Sequence, residues 1–469
     1  MKYSYVTTAI PYVNGKPHIG HALDYLLADV YYRYETEQGT SVIFQSGTDE
    51  HGNKVAKKAA EVNKTPKEYA DENSAAFRDF IEALNVHPTN FIRTTDEKHI
   101  ELCQKIWQKL SPHIYSASYD GFYCEGCEAF VTKNEFDENH GICPEHQKPY
   151  TKISEKNYFF RLSDFKSEIK SKIESDEMTI LPAFRKNEVL KLLESAPDVS
   201  ISRPKKTLTW GIPVPDDDSQ IMYVWLDALS NYLTVLGYPD EDIKDFWPPV
   251  LQIVGKDILR FHSIIWPAML LGLGLELPKV LLSHGYVLNQ SEKMSKSIGN
   301  VVDPIEVLNL HGVDAFRYFF LRHIDTFVDS DFSIEKFETA YSSELANDLG
   351  NLVQRLATLC SKNNLQISSH SPKDYPDYHS LMHNFEYKKA FDFAWAKVQD
   401  INKRIDAEKP WALKNDPEKQ AALLSSLVDD LLNANKLFSP FLPDTSEKIT
   451  EIFTKNPIEA PASPLFPKN

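Results

Sequence analysis

Lys293-Met294-Ser295-Lys296-Ser297 sets two cations on a short stretch, flanked by small hydroxyl residues and closed by Ile298-Gly299-Asn300. Two ammonium groups near one point suit a polyphosphate. Phosphoryl and nucleotidyl transfer build negative charge on oxygens, which mobile lysines neutralise as the transition state forms. A solvated basic loop would have the same composition, since short basic patterns recur by chance. Against that plainer reading stands a second phosphate-suited stretch, Pro17-His18-Ile19-Gly20-His21. His18 and His21, three apart, can project to one side, and Gly20 lets a base or sugar approach the main chain. A third constellation suits a metal. Cys124-Glu125-Gly126-Cys127 and Cys143-Pro144-Glu145-His146 are two ligand pairs, each with the two-residue gap of a tetrahedral zinc site, and Gly126 and Pro144 fit knuckle turns. Three thiolates and one imidazole close the coordination shell, so the zinc is expected to be structural. Cys103 and Cys360 stand apart, a distribution that reads as metal ligation and not as a disulfide framework.

The elements that must position these residues follow an α/β pattern. Tyr3 to Ala9 is β-prone, a turn spans Pro11 to Gly15, and Ala22, Leu23, Leu26, Leu27 and Val30 recur at helical spacing toward Gln38. Strand, turn and helix N-terminus is where an α/β protein binds phosphate. Ser41 to Ser46 reads as the next strand and ends in Gly47-Thr48-Asp49-Glu50-His51-Gly52. Asp49 at that carboxyl end suits a ligand ammonium, and equally a helix N-cap. Helical segments run to about Asn85 and a strand is expected at Asn90 to Thr94, which gives the βαβα alternation of a doubly wound parallel sheet. The pattern breaks between about Pro112 and Gln220 and resumes with Met222–Asp227 and Val250–Gly255 as buried strands. The second of these leads into Lys256-Asp257 and a helix carrying His262 and Trp266; Leu281 to Val287 is expected as the strand that delivers the lysine loop. After Asp303 the chain reads as a helix bundle, with amphipathic stretches at Ala315–His323, Ala346–Leu359, Tyr387–Arg404 and Ala421–Phe438. The proline-rich tail after Asn456 is expected to drape over the surface.

Composition narrows the class of function. The 469 residues suffice for roughly three domains, and a formal charge of −16 excludes a protein that coats nucleic acid indiscriminately while allowing a local basic groove. Met1-Lys2-Tyr3-Ser4-Tyr5 reads as the entry to a strand and not as a secretory leader. The most apolar long stretch, Ile258 to Leu277, contains Arg260, His262 and Glu276, which argues against a membrane span. A cytoplasmic protein without membrane contact is expected.

With these residues in place, the chain resembles a class I aminoacyl-tRNA synthetase of the methionyl type over essentially its whole length. The HIGH motif stands as His18-Ile19-Gly20-His21 and the KMSKS motif as Lys293 to Ser297. Similar stretches are Ala9-Ile10-Pro11-Tyr12-Val13-Asn14-Gly15, Tyr223-Val224-Trp225-Leu226-Asp227-Ala228, Phe261-His262-Ser263 and His284-Gly285-Tyr286. The resemblance implies a Rossmann-like parallel sheet split by a zinc-knuckle connective insertion, followed by an all-α helix-bundle anticodon-binding domain. Expected boundaries are 1–112 and 221–300 for the two catalytic halves, 113–220 for the insertion, 301–345 for a stem-contact linker and 346–469 for the anticodon-binding domain.

The reaction it implies is activation of methionine by Mg2+-ATP and transfer of the methionyl group to the 3' end of tRNA(Met). His18, His21, Lys293 and Lys296 would stabilise the phosphates, with Gly20, Asp257 and Val287 also at ATP and Asp257 on its ribose. Ile10, Tyr12, Trp225, Leu229, Tyr232, His262 and Trp266 would line the methionine pocket, with Asp49 on the ammonium and Arg203 as its salt-bridge partner. An aromatic-rich wall suits a flexible thioether. Asn351, Arg355 and Trp411 would read the CAU anticodon. Cys124, Cys127, Cys143 and His146 would hold one Zn2+ per chain. Leu229 stands where some relatives have proline, a single knuckle is present, and the segment 113–220 is too short for the editing insertion of the leucine, isoleucine and valine enzymes. The chain ends after the helix bundle without an appended dimerisation domain, so a monomer is expected. The alternatives are another HIGH-type nucleotidyl transferase without tRNA, against which the helical third counts, and a catalytically silent paralogue that binds tRNA, against which the intact histidines and lysines count.

Overall fold

Tyr3–Thr8, rich in tyrosine and β-branched residues, forms a strand that is buried from Ser4 onward. The computed structural model, which describes residues 2–124, 129–131, 133–144, 147–289, 292–293, 302–366 and 370–467, sets this strand inside a sheet. Its order among the described residues is Asn90–Arg93, Ser41–Thr48, Tyr3–Thr8, Leu251–Gly255, Val280–His284 and Thr179–Leu181. Parallel register pairs Val6 with Leu251, Gln45 with Asn90 and Val280 with Thr179. Strands covered on both faces read as near-continuous apolar runs, as Leu251–Gly255 and Val280–His284 largely do, whereas Ser41–Thr48 ends in polar residues. Thr179–Leu181 joins this sheet from within the stretch where the sequence pattern breaks; three residues are too few to carry a periodic signal.

Two expected strands come out differently. Met222–Asp227 is not a strand: the extended chain of Asp217–Met222 stops, and Val224–Leu229 is helical. A run buried almost all round lacks the alternation that tells strand from helix, so local pattern cannot decide there. Asp217–Met222 itself pairs antiparallel with Ser202–Pro204 and Pro213–Val214 in a small sheet. Leu281–Val287 is split. Val280–His284 stays in the parallel sheet, whereas Val287–Asn289 pairs with Glu292–Lys293 and with Ser330–Phe332. Gly285 marks the break, because a Cβ there would lie 2.4 Å from the Val328 main chain.

The chain packs as two units, one of residues 1–16, 42–77 and 88–283 and one of residues 17–41, 78–87 and 284–469. The first holds the parallel sheet and the 113–220 segment. That segment adds a four-stranded sheet ordered Ala129–Val131, Ile114–Cys124, Thr151–Phe160 and Val199–Ser200 among the described residues.

The second unit is built on the helix Ala22–Glu37 and the expected bundle, which includes Val313–Arg322, Asn351–Lys362, Tyr387–Glu408 and Pro417–Phe438. Arg317 is 0% exposed; it pairs with Asp29 at 2.7 Å and donates to the carbonyls of Phe441 (2.8 Å), Pro440 (3.0 Å) and Leu84 (3.2 Å). A guanidinium is tolerated in a core only when its donors are met, and here they fix the helix that follows the histidine turn to the bundle. The tail lacks helix after Thr454, as expected, but it is pinned and not draped. Ile458 and Phe466 are buried, and Tyr341 Oη donates to the Pro467 carbonyl at 2.7 Å.

Candidate active site and anticodon face

The histidine turn is closed by its own side chains. Ile19–His21 is a single 3-10 turn; His18 Nδ1 accepts from the Gly20 N–H and His21 Nδ1 accepts from the His18 N–H, both at 3.1 Å. This reciprocal cap holds the two rings with centroids 3.9 Å apart and planes tilted by 38°. Accepting at Nδ1 puts the proton of a neutral His18 on Nε2, where it can serve as a donor. Gly20 has a reason the sequence did not disclose: a Cβ there would sit 3.0 Å from the His18 ring. The strand Val287–Asn289, with Val287 buried, lies against this turn, and its antiparallel partner aligns Lys293 opposite Leu288. The second unit therefore brings His18, Gly20, His21 and Val287 together and hands the main chain to the lysine stretch. Lys296 and the side chain of Lys293 lie outside the described residues. Below the turn, Asp24 meets His284 at 3.0 Å. Asp257, in the first unit, is exposed just past the strand Leu251–Gly255.

In the first unit an aromatic wall forms from three turns of chain. Tyr232 Oη bonds His262 Nε2 at 2.8 Å, and the Tyr232 and Trp266 rings lie 5.6 Å apart. Leu229, Tyr232, His262 and Trp266 are all buried. His262 falls in a π-helical turn, Phe261–Ile265, a local widening that often marks functional sites. Trp225 stacks on Phe261 at 3.5 Å, a contact the sequence reading did not single out although Phe261 neighbours His262. Ile10 reaches the end of the Ser41–Thr48 strand, where a Cβ on Gly47 would meet its Cγ2 at 3.1 Å. Tyr12 is bridged to Asp49 through main-chain bonds on either side, Val13 N–H to the Asp49 carbonyl (3.0 Å) and Asp49 N–H to the Pro11 carbonyl (2.9 Å). Asp49 is buried, and the N-cap of the next helix, Asn53–Glu61, is Gly52, so the N-cap alternative for Asp49 falls away. Arg203 ion-pairs with Glu155 at 2.7 Å and stands over the Tyr123 ring. It lines a small pocket with His51, Tyr123, Trp210, Tyr223 and Val224, of which the sequence reading singled out only Arg203 as a site residue.

A buried polar network that the sequence gave no sign of lies beside this wall. Asp227 accepts at Oδ2 from His51 Nδ1 (2.7 Å) and at Oδ1 from His99 Nε2 (2.8 Å). His99 Nδ1 lies 2.8 Å from Thr234 Oγ1, and Cys103 Sγ lies 3.3 Å from His99 Nε2. Burial pushes the Asp227 carboxyl up, but the charge and hydrogen bonds of His51 and His99 outweigh it and hold it at about 2. His99, Cys103 and Asp227 are close enough to share a cation. Their chemistry does not fit one: both Asp227 oxygens and both His99 nitrogens have protein partners, and burial, helped by Asp227, pushes the Cys103 thiol up and keeps it protonated.

Of the predicted zinc ligands, Cys124 and Cys143 are 3% and 2% exposed, while Cys127 and His146 lie outside the described residues. Cys124 closes the strand Ile114–Cys124, and Cys143 starts a tight turn in which Gln147 N–H donates to its carbonyl at 2.8 Å. Among the described residues, Val131 joins the two cysteines as the buried centre of this cluster, with Phe122, Phe136 and Tyr150 packed around it. Two buried thiols at its centre fit a metal.

In the second unit Asn351 opens the helix Asn351–Lys362 and is exposed, and Arg355 follows one turn later on that helix. Arg355 Nη1 pairs with Asp406 at 2.8 Å. Trp411 is 43% exposed on the 3-10 turn Pro410–Leu413. Among the described residues, no helix is long and apolar enough to cross a membrane.

The family model described as tRNA synthetases class I (M) matches residues 4–152 and 145–357. The chain is 39% identical to a methionine–tRNA ligase of Caldanaerobacter subterraneus subsp. tengcongensis, over 96% of this chain and 74% of that protein. It is 38% identical to the methionine–tRNA ligase of Brucella suis, over 96% of this chain and 91% of that protein. Among solved structures it superposes on Mycobacterium tuberculosis methionyl-tRNA synthetase in complex with methionyl-adenylate with a TM-score of 0.91, at 34% identity and 100% coverage of both chains. The apo form of that enzyme gives 0.85. A self-capped turn built from His18 and His21, a parallel sheet with an aromatic wall, a helical unit with an exposed tryptophan and these matches converge: the chain belongs to the methionyl-tRNA synthetases of class I.

Proposed function

We propose that this protein is a methionine–tRNA ligase. A methionine carboxylate oxygen attacks the α-phosphorus of ATP, the bond to pyrophosphate breaks, and methionyl-adenylate forms. The terminal ribose hydroxyl of tRNA(Met) then attacks the methionyl carbonyl and AMP leaves. The observation that carries this reading is the self-capped His18/His21 turn with the strand leading to Lys293 laid against it. Imidazole N–H groups and lysine ammoniums acting together offset charge as it moves onto pyrophosphate. Mg2+ bound with ATP would supply further charge compensation.

In this reading Asp257 holds the ribose and Gly20, Val287 and Lys296 complete the ATP site. Ile10, Tyr12, Trp225, Leu229, Tyr232, His262 and Trp266 receive the thioether side chain. Asp49 takes the ammonium, with Arg203 as its salt-bridge partner. Asn351, Arg355 and Trp411 read the anticodon, the indole offering a face for an unstacked base. Cytoplasmic location and a monomeric state belong to the same reading, the second checked by sedimentation. The test of the activity is ATP–pyrophosphate exchange with each of the twenty amino acids; exchange with methionine alone is expected, and exchange driven by another amino acid overturns it.

Zinc is structural in this reading, held by Cys124, Cys127, Cys143 and His146. One zinc per chain is expected by metal analysis, and Cys124→Ser should lose it and loosen the knuckle to proteolysis, because coordination free energy there is folding free energy. Protein purified without chelator and free of zinc would contradict this.

A further inference from the structure

Asp227 is 1% exposed and flanked on its helix by Leu226, Ala228 and Leu229, all buried. A carboxylate in such surroundings is costly unless both oxygens are met, and an apolar residue would fill the place at lower cost. Here both oxygens are met, by imidazoles from two other elements: His51, just past the strand Ser41–Thr48, and His99, on the helix Glu97–Leu110. Hydrogen bonds fix distance and direction where packing fixes only volume. What they fix is specific. His51 stands two residues from Asp49, and Asp227 stands two residues from both Trp225 and Leu229. The loop is gripped on its other side as well: Trp210 Nε1 donates to the Glu50 carbonyl (2.7 Å) and Gly52 N–H to the Trp210 carbonyl (2.9 Å).

We propose that Asp227 is a positioning residue for methionine: through His51 it holds the Asp49-bearing end of the strand at a set separation from the helix that carries Trp225 and Leu229. This rests on the reading of Asp49 as the ammonium partner. A polar clamp of this kind sets where the two ends of the amino acid are gripped, so its loss should weaken methionine binding and leave the phosphate chemistry on the histidine turn largely alone.

The test is methionine-dependent pyrophosphate exchange on Asp227→Ala, Asp49→Asn and the double variant. Asp227→Ala is expected to raise the methionine KM about 10-fold, with kcat and the ATP KM within about twofold of the parent. Asp49→Asn should raise the methionine KM in the parent but add less than about threefold in the Asp227→Ala background, the non-additivity of residues acting as one unit. Should Asp227→Ala fold poorly by thermal unfolding, the isosteric Asp227→Asn, which keeps one acceptor oxygen, carries the same cycle. Losses that multiply in full overturn the clamp while leaving Asp49 in the pocket, and so does an ATP KM that rises in step with that for methionine. An unchanged methionine KM in Asp49→Asn overturns the ammonium reading itself, and the clamp with it.

Discussion

In the proposed reading the two units meet their ligands with opposite surfaces. In the sheet-bearing unit Leu229, Tyr232, His262 and Trp266 are 1, 1, 3 and 0% exposed, and Tyr232 is already bonded to His262. In the helical unit the Arg355 side chain is 35% exposed and Trp411 is 43% exposed. A small apolar side chain is held by a dry, preformed wall, which loses little freedom on binding. A base must be reached from solvent, so on this reading its readers stay outside; Arg355, proposed as one of them, is steadied by Asp406. On this reading burial marks one proposed site and exposure marks the other.

The contrast can be broken first on the chemistry. Lys296→Ala should lower kcat for pyrophosphate exchange by about 100-fold, the usual cost of one transition-state donor, with the methionine KM little changed. A variant as fast as the parent would remove the lysine loop from the mechanism. Next in size is the exposed face. Trp411→Ala should depress tRNA charging by roughly 10- to 100-fold, since a stacked base is worth about 1–3 kcal/mol, while exchange stays nearly intact. A parallel fall in exchange would show Trp411 supporting the fold instead. Tyr232→Phe sharpens the buried side: losing one hydrogen bond to His262 should raise the methionine KM about fivefold, near 1 kcal/mol, without touching charging at saturating methionine.

The smallest expected effect is on stability, and it too divides the units. Burial pulls His323, in the helical unit, from 6.5 down to about 4, reinforced by Arg322 and Lys388. Glu344 lies 3.4 Å from its Nε2 but is already engaged by Arg322. A histidine depressed on folding takes up its proton more readily when unfolded, so its contribution is complete above pH 6.5 and is lost as pH falls toward 4. Asp227, held at about 2 against 3.8, contributes fully above pH 3.8 and loses that as pH falls toward 2. Acid should therefore loosen the helical unit first, and His323→Gln should flatten the slope of the unfolding midpoint between pH 6.5 and 4. An unchanged slope would mean that other groups govern that window.

Much of this was legible in the chain. The His18/His21 pair, the strands near residues 3–8, 41–48, 90–93 and 251–255, and the helical third all stand where local pattern puts them. What local pattern could not reach is what distance in sequence hides. Val224–Leu229 is helical because its surroundings are apolar almost throughout, which erases the period. Thr179–Leu181 joins the sheet only because Val280–Leu282 lies beside it. The Asp227 clamp draws on His51 and His99, 176 and 128 residues away, and no spacing rule connects them. Gly20 looked like room for a ligand and is also room for the His18 ring.

The most direct test of the division between a buried amino-acid site and an exposed anticodon face uses the unaltered protein. Methionine-dependent pyrophosphate exchange and methionyl transfer would be measured side by side, with tRNA bearing CAU and the same tRNA carrying an altered anticodon. The predicted result is equal exchange with both and charging that falls at least about 10-fold with the altered one. Charging that is indifferent to the anticodon, or exchange that falls with it, would contradict the division.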